Sequence, residues 1–110
     1  MATNAPFTPL GNTVTLTAAT SAPAAVQALS TTLGGNQYRI INAGTQVAFM
    51  GVGSTAAAAL ANAVVASSSQ GSIPLLPNTD EIFSFVPNAW FTAITSTSTT
   101  TVYVTPGDGQ

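Results

Sequence analysis

The 110-residue sequence predicts an all-β fold, namely a single-domain antiparallel β-sandwich or jelly roll of about seven or eight strands. Short runs of apolar and β-branched residues recur at spacings of about 8 to 12 residues. Proline, asparagine and glycine, which are typical of tight turns, separate these runs. Hydrophobic residues make up 45% of the chain, so we expect one domain with one packed core.

The N-terminal residues 1–12 form the first segment, and residues 13–110 are assigned to the sandwich domain. Pro6 and Pro9 fix φ and lack amide donors, so this segment is a poor ladder strand. We expect an extended arm that lies across a neighbouring subunit or, alternatively, a solvated tail. Phe7 and Pro9 are the candidate contact residues of the arm.

Two stretches in the first half of the sandwich domain have the pattern of strands. In "TVTLTA", Val14 and Leu16 alternate with threonine, as in a strand with one buried face. The run "NQYRIINAGTQVAFMGVG" predicts a hairpin, because two strand-like segments flank Asn42, Ala43 and Gly44. A three-residue loop that ends in glycine suits a type I turn followed by a left-handed residue. Apolar residues on both faces place this hairpin at the centre of the fold.

The alanine-rich residues 54–69 have an ambiguous pattern. Alanine favours a helix, and either Ser54 or Thr55 is a suitable N-cap. Val64 and Val65 favour a strand instead. We therefore expect a connection that contains one short element.

Proline turns divide the second half of the chain into short strands. The segments "SIPLLPN", "DEIFSFVPN" and "AWFTAIT" each predict one strand, with turns at Pro77-Asn78 and Pro87-Asn88. A last strand follows near the end of the chain. Its predicted inward side chains are Thr100, Val102 and Val104, and its predicted outward side chains are Thr99, Thr101, Tyr103 and Thr105.

Charged residues make up only 4% of the chain, namely Arg39, Asp80, Glu81 and Asp108, with a net charge of −2. In a soluble domain about a quarter of the residues are usually charged. A single arginine cannot neutralise a series of phosphates, so neither nucleic acid nor an anionic membrane is an expected partner. Weak electrostatic repulsion between copies favours association, so we expect a subunit of a larger assembly.

The sequence lacks the residue types that most catalytic and metal sites need. It has no histidine, lysine or cysteine, so the usual general bases, thiolate nucleophiles and nitrogen or sulfur metal ligands are absent. Asp80 and Glu81 are adjacent in a predicted strand and are expected to point to opposite faces. The "GVGS" run lacks the companion residues of a phosphate-binding loop. We therefore expect no enzyme activity, no cofactor, no metal and no small-molecule substrate.

The candidate contact residues belong to the uncharged surface. Arg39 is expected to pair with Asp80, Glu81 or a partner's carboxylate. Of the adjacent rings of Trp90 and Phe91, we expect one in the core and the other against solvent or a partner, although two half-buried rings at a sheet end are the alternative. A threonine hydroxyl is cheaper to desolvate than a charge, so the outward face of the last strand suits a covering subunit. The predicted partner interface comprises Phe7, Pro9, Arg39, Trp90, Thr99, Thr101 and Tyr103.

No targeting segment is expected. Residues 1–20 have neither a basic start nor a continuous apolar run. The longest apolar stretch, residues 56–66, is interrupted by Asn62 and is shorter than the roughly 20 residues that a spanning helix needs. We expect synthesis in the cytoplasm, with any export carried out by another component.

Three segments carry a resemblance to a known group of proteins: "NQYRIINAGTQVAFMGVGST", "SIPLLPNTDEIFSF" and "TVYVTPGDG". From about Thr13 to Gly109 the chain resembles small all-β structural proteins of tailed bacteriophages, in particular capsid cement or decoration proteins. It departs from that pattern at residues 96–99, which read "STST" where the form "SGT" is expected. The resemblance implies a β-sandwich or jelly roll, a dimer or trimer, and attachment to the major capsid protein on the capsid exterior. It implies no catalytic residues.

The predicted function is that of a non-enzymatic virion protein, made in the host cytoplasm, that binds the outer capsid surface and stabilises the shell. One alternative is a head–tail connector or a tail or fibre subunit. Another is a small carbohydrate-binding module that uses Trp90, Tyr38 or Tyr103. An ice-binding surface requires a Thr-x-Thr ladder on several successive strands, whereas the sequence pattern predicts such a ladder on one strand only.

Overall fold

A computed structural model describes residues 8–29, 36–65 and 72–108, apart from the side chains of Phe83 and Asp108. Within these ranges the chain forms strands and one short helix. The elements are β1 (Thr8–Pro9), β2 (Val14–Ala18), β3 (Val26–Gln27), β4 (Gln37–Asn42), β5 (Ala48–Gly53), α1 (Ala56–Asn62), β6 (Ile73–Leu75), β7 (Thr79–Ser84), β8 (Trp90–Ile94) and β9 (Thr100–Asp108).

The strands form two facing antiparallel sheets. In sheet A the order is β1-β9-β4-β7, and β2 also pairs with β9, on the side away from β4. In sheet B the order is β3-β8-β5-β6. From β2 onward the chain passes to the other sheet at every connection except the one between β5 and β6. This strand order and connectivity define a jelly roll, so the predicted fold is confirmed.

The core lies between the two sheets and is built from the inward side chains of the central strands. Tyr38 and Ile40 of β4 and Phe91 of β8 are fully buried. The rings of Tyr38 and Phe91 meet edge to face, with centroids 4.9 Å apart and planes at 62°. Each large apolar side chain buried in this way contributes about 1.5–3 kcal/mol to folding. In β9, Val102 and Val104 are also buried, which confirms the predicted inward face of this strand.

The predicted hairpin is wrong, because β4 and β5 lie in different sheets. Each strand is central, but in its own sheet. The chain turns from one sheet to the other in the loop of residues 43–47, which we call the corner. The Asn42 side chain stabilises this corner, because its Nδ2 donates to the carbonyls of Gln46 and Leu75, at 2.6 and 2.9 Å. Its Oδ1 accepts from the Gly44 amide at 3.1 Å and from the Thr100 hydroxyl at 2.6 Å. A Cβ on Gly44 would lie only 1.9 Å from Thr100 Oγ1, so this close approach requires glycine.

The alanine-rich connection contains one short element, as predicted, and this element is the helix α1. Thr55 is the N-cap, and its hydroxyl accepts a hydrogen bond from the Ala58 amide at 3.1 Å. Val64 and Val65 follow the helix without forming a strand. The last part of the predicted connection, residues 66–69, lies outside the described residues.

Two glycines of β5 make room for this helix. A Cβ on Gly51 would lie 2.3 Å from the Ala59 carbonyl oxygen, and one on Gly53 would lie 2.6 Å from the Ala58 Cβ. The helix therefore lies close against the outer face of sheet B. The close packing of α1 explains why the "GVGS" run has glycine at positions 51 and 53.

The predicted turns at two Pro-Asn pairs are confirmed by backbone geometry. Asn78 and Asn88 have φ of 59° and 57°, in the left-handed region that asparagine tolerates better than most residues. Ser98, in the segment where the phage-protein pattern is not followed, also has a positive φ of 59°.

Part of the N-terminal arm joins sheet A. Thr8 and Pro9 pair with Asp108 and Gly107, and the Leu10 amide donates to the Pro106 carbonyl at 2.9 Å. The ladder they form is only two residues long. Residues 1–7, including the candidate contact residue Phe7, lie outside the described residues.

Candidate interaction surface

Strands β2 and β9 build a surface of hydroxyl groups on the outer face of sheet A. In an antiparallel pair, directly opposed side chains lie on the same face of the sheet. Thr15 is opposite Tyr103 and Thr17 is opposite Thr101. Just before β2, the Thr13 hydroxyl lies 2.7 Å from that of Thr105. We call this surface the threonine face; its members are Thr13, Thr15, Thr17, Thr101, Tyr103 and Thr105.

The threonine face is open along β2 and partly sheltered along β9. Thr13, Thr15 and Thr17 are exposed, whereas Thr101 and Thr105 are half-buried. Tyr103 lies in the middle row and is 37% exposed. The predicted outward orientation of these β9 side chains is confirmed. Because each threonine side chain is neutral, covering this surface requires desolvation of hydroxyls rather than ions.

The charges on the outer face of sheet A compensate each other. Arg39 Nη2 lies 2.9 Å from Asp80 Oδ2, and Arg39 Nε donates to the same oxygen at 3.0 Å. The two side chains are 47% and 21% exposed, so the pair contributes at most about 1 kcal/mol to stability. Of the two expected partners of Arg39 within the chain, the structure shows Asp80.

The second acidic residue of this strand lies on the other face. Glu81 is opposite Ile40, a core residue, whereas Asp80 is opposite Ile41. This confirms that the adjacent carboxylates point to opposite faces. Glu81 is nevertheless exposed, because β7 lies at the edge of sheet A. A charge at this position opposes uncontrolled strand pairing along the edge.

The structure does not bring all of the predicted interface residues together. Arg39, Thr101 and Tyr103 share the outer face of sheet A. Thr99 is exposed in the loop just before β9, and Pro9 is exposed near the far end of the same strand, about 25 Å away along an extended chain. The six predicted interface residues that the structure describes are therefore spread over more than one part of the surface.

Trp90 lies on the opposite side of the molecule. Phe91 is fully buried in the core, while Trp90 is half-buried on the outer face of sheet B, opposite Gln27 and Gly53. The expectation that one of the two adjacent rings enters the core is confirmed.

The three aromatic residues proposed for carbohydrate binding do not share a surface. Tyr38 is fully buried, and its hydroxyl donates to the Val86 carbonyl at 2.5 Å and accepts from the Ala89 amide at 3.1 Å. Trp90 and Tyr103 lie on different sheets. A sugar site that combines these three rings is therefore excluded.

Sequence reasoning missed Thr13, Thr15 and Thr17 as members of the surface. The alternation in "TVTLTA" identified the buried side of β2 but not the strand beside it. The pairing of β2 with β9 is what aligns two threonine ladders, so the ladder occupies two adjacent strands rather than one. Tyr103 interrupts the array in its middle row.

Within the described residues there is no group of three or more histidine, cysteine, aspartate or glutamate side chains positioned to hold a metal ion. In the same ranges no helix has the length and apolar character required to cross a membrane.

No protein-family model, curated protein or solved structure matches the chain.

Proposed function

We propose that the protein is a non-enzymatic structural component of a tailed-bacteriophage virion, which binds the outer capsid surface and stabilises the shell. The observation that carries this proposal is the threonine face. It is a broad, ordered surface without an uncompensated charge, built on two strands whose other sides are fixed in the core. The phage-protein resemblance of the sequence supports the same assignment.

A neutral surface of this kind suits a permanent contact between subunits. Burial of an unpaired ion costs several kcal/mol, whereas a hydroxyl can be covered at lower cost and can hydrogen bond across the contact. Stable protein interfaces bury about 1,200–2,000 Å² in total. The proposed partners are the major capsid protein and further copies of this chain, in a dimer or trimer.

Oligomers increase the strength of attachment. When several linked copies bind neighbouring capsid subunits, each later contact forms at a high effective concentration. A modest contact per copy then gives a stable attachment that holds adjacent capsid subunits together. Because the threonine face has no charged side chain and the neighbouring Arg39–Asp80 pair is compensated, attachment is expected to depend weakly on salt.

Imaging of intact particles tests this proposal. Particles assembled with and without the protein should differ by a density on the outer shell, at a copy number comparable with that of the major capsid protein. Density confined to the head–tail junction or the tail, at low copy number, would assign the chain to the connector or tail instead. The absence of the protein from particles would overturn the proposal.

A further inference from the structure

A groove lies on the outer face of sheet A beside the Arg39–Asp80 pair. It has a volume of about 330 Å³, and its lining includes Arg39, Ile41, Asn78 and Asp80. Small-molecule sites usually occupy about 300–1,000 Å³ and combine apolar lining with a few convergent polar groups. The groove fits the lower end of that range. It runs along β4 and β7, and β2 lies two strand spacings, about 10 Å, beyond β4.

The ion pair leaves donors and an acceptor without a partner on residues that line the groove. Both contacts from Arg39, through Nε and Nη2, go to Asp80 Oδ2. Among the described residues, neither Asp80 Oδ1 nor Arg39 Nη1 has a hydrogen-bond partner. Because the two charges compensate each other, the groove favours neither a free anion nor a free cation. It favours a neutral ligand that can donate and accept hydrogen bonds at adjacent positions.

Asn78 adds a further polar group at the end of the groove. Its backbone is held in the left-handed conformation, with φ of 59°, and its amide donates to the Asn42 carbonyl at 2.8 Å. The Asn78 residue is exposed, and its side-chain amide has no partner among the described residues. The backbone of Asn78 is fixed, so only its side chain has to be ordered when a ligand binds.

An apolar platform adjoins these polar groups. Ile41 is opposite Asp80 on one side and opposite Tyr103 on the other, so the three side chains lie in one row across β7, β4 and β9. Neighbouring strands are about 4.8 Å apart, so the backbones at Tyr103 and Asp80 are about 10 Å apart, with Ile41 between them. Tyr103 is 37% exposed and offers a ring face or edge to the apolar side of a ligand.

We infer that this groove binds a neutral glycan. In a sugar, neighbouring hydroxyls each donate and accept, so one can accept from Arg39 while the next donates to Asp80. These bonds are charge-assisted and therefore stronger than bonds between neutral groups. The C–H side of a sugar ring fits Ile41 and Tyr103. The inference does not depend on the proposed virion role, because it concerns the isolated protein.

An NMR titration of the intact protein tests this inference. The probes are maltose, cellobiose, lactose and mannobiose, with sialyllactose as an anionic sugar and a blocked glutamine peptide as a carboxamide. At least one neutral sugar should shift the Asn78, Asp80 and Tyr103 amide signals, with a Kd of about 1 mM or tighter. Shifts caused only by the peptide or only by the anionic sugar would overturn the inference, as would no shift with any probe.

Two matched variants locate the site. Asp80→Ala and Glu81→Ala remove the same charge from adjacent positions on opposite faces of β7. Asp80→Ala should weaken sugar binding at least tenfold, and Glu81→Ala should leave it unchanged. Equal effects of the two variants would contradict the groove as the site. Thermal unfolding confirms that each variant folds. Sugar binding is measured on the isolated protein, so this test succeeds or fails independently of the particle imaging that tests the proposed function.

Discussion

The hydroxyl oxygens of Thr13 and Thr105 lie 2.7 Å apart, which joins the two threonine ladders of sheet A side chain to side chain. Thr13 precedes β2 and Thr105 lies in β9, so this contact continues the ladder beyond the last backbone pair of β2, Val14 with Val104. The threonine face is thus an ordered array that is fixed by strand register. It combines β-branched side chains that favour a strand with hydroxyls that can be covered at low cost.

Removal of the Tyr38 hydroxyl should destabilise the fold. Tyr38→Phe keeps the ring against Phe91 but leaves the Val86 carbonyl and the Ala89 amide without this partner. The expected loss in the free energy of unfolding is about 1–3 kcal/mol, measured by denaturant titration. Tyr103→Phe is the matched control, because that side chain is partly exposed on the outer face, and it should change the stability little. Equal effects of the two substitutions would contradict the role assigned to Tyr38.

Stability should fall at alkaline pH through the same tyrosine. Burial raises the pKa of Tyr38, and hydrogen bonds with the backbone at Ala89 and Asn88 offset this only in part. The unfolded chain releases the proton near the ordinary pKa of about 10, before the folded chain does. The stability that Tyr38 contributes through this pKa shift is therefore fully present below about pH 10. It is lost as the pH rises through the raised pKa. Denaturant titrations at increasing pH should show this fall in the wild type and a smaller fall in Tyr38→Phe; identical slopes would contradict it.

The Asn42 side chain should be among the most sensitive polar groups in the fold. Asn42→Ala removes a fully buried amide that bonds to the corner loop, to Leu75 of sheet B and to Thr100 of β9. Because several buried partners lose a hydrogen bond together, the free energy of unfolding should fall by about 3 kcal/mol or more. Asn12→Ala, at an exposed position, is the control and should have little effect on denaturant unfolding. A change below about 1 kcal/mol in Asn42→Ala would contradict the corner role.

The packing of α1 on sheet B gives a separate prediction. Gly51→Ala places a methyl group 2.3 Å from the Ala59 carbonyl oxygen, so the helix must move. We expect a destabilisation of about 1–3 kcal/mol and faster proteolysis near the helix. Ala57→Ser, at an exposed position of α1, should leave the rate of cleavage nearly unchanged. Normal protection of the helix in Gly51→Ala would mean that the helix does not rest on this glycine.

The sequence pattern identified most of the strands, but it identified neither the two-residue strands β1 and β3 nor the partners of the strands. Alternation with a period of two is local, so the inward side of β9 and the short strands β6 to β8 could be read directly. The Asn42 corner could not, because its side chain bonds to Leu75 and Thr100, which are distant in sequence. Turn chemistry around Gly44 is the same for a hairpin and for a bend between sheets.

For the candidate surface, too, the sequence predicted local features but not those that depend on strand pairing. The outward residues of β9 and the charge pairing of Arg39 could be predicted from alternation and from the scarcity of charged residues. The contribution of Thr15 and Thr17 depends on long-range strand pairing, and so does the row that links Tyr103 to Asp80. Fully buried Tyr38 could not be distinguished from a surface aromatic, because its partners lie in the β7–β8 turn.

Binding of two lysine variants to capsid shells that lack the protein tests the role of the threonine face. Thr17→Lys places a charge on the face, and Thr20→Lys places the same charge at an exposed position outside it. Because burial of an unpaired charge costs several kcal/mol, Thr17→Lys should bind at least about tenfold more weakly than wild type. Thr20→Lys should bind like wild type, and wild-type binding should change little between low and moderate salt. Equal binding by the two variants, or a collapse of wild-type binding as salt is added, would contradict a neutral face pressed against the shell.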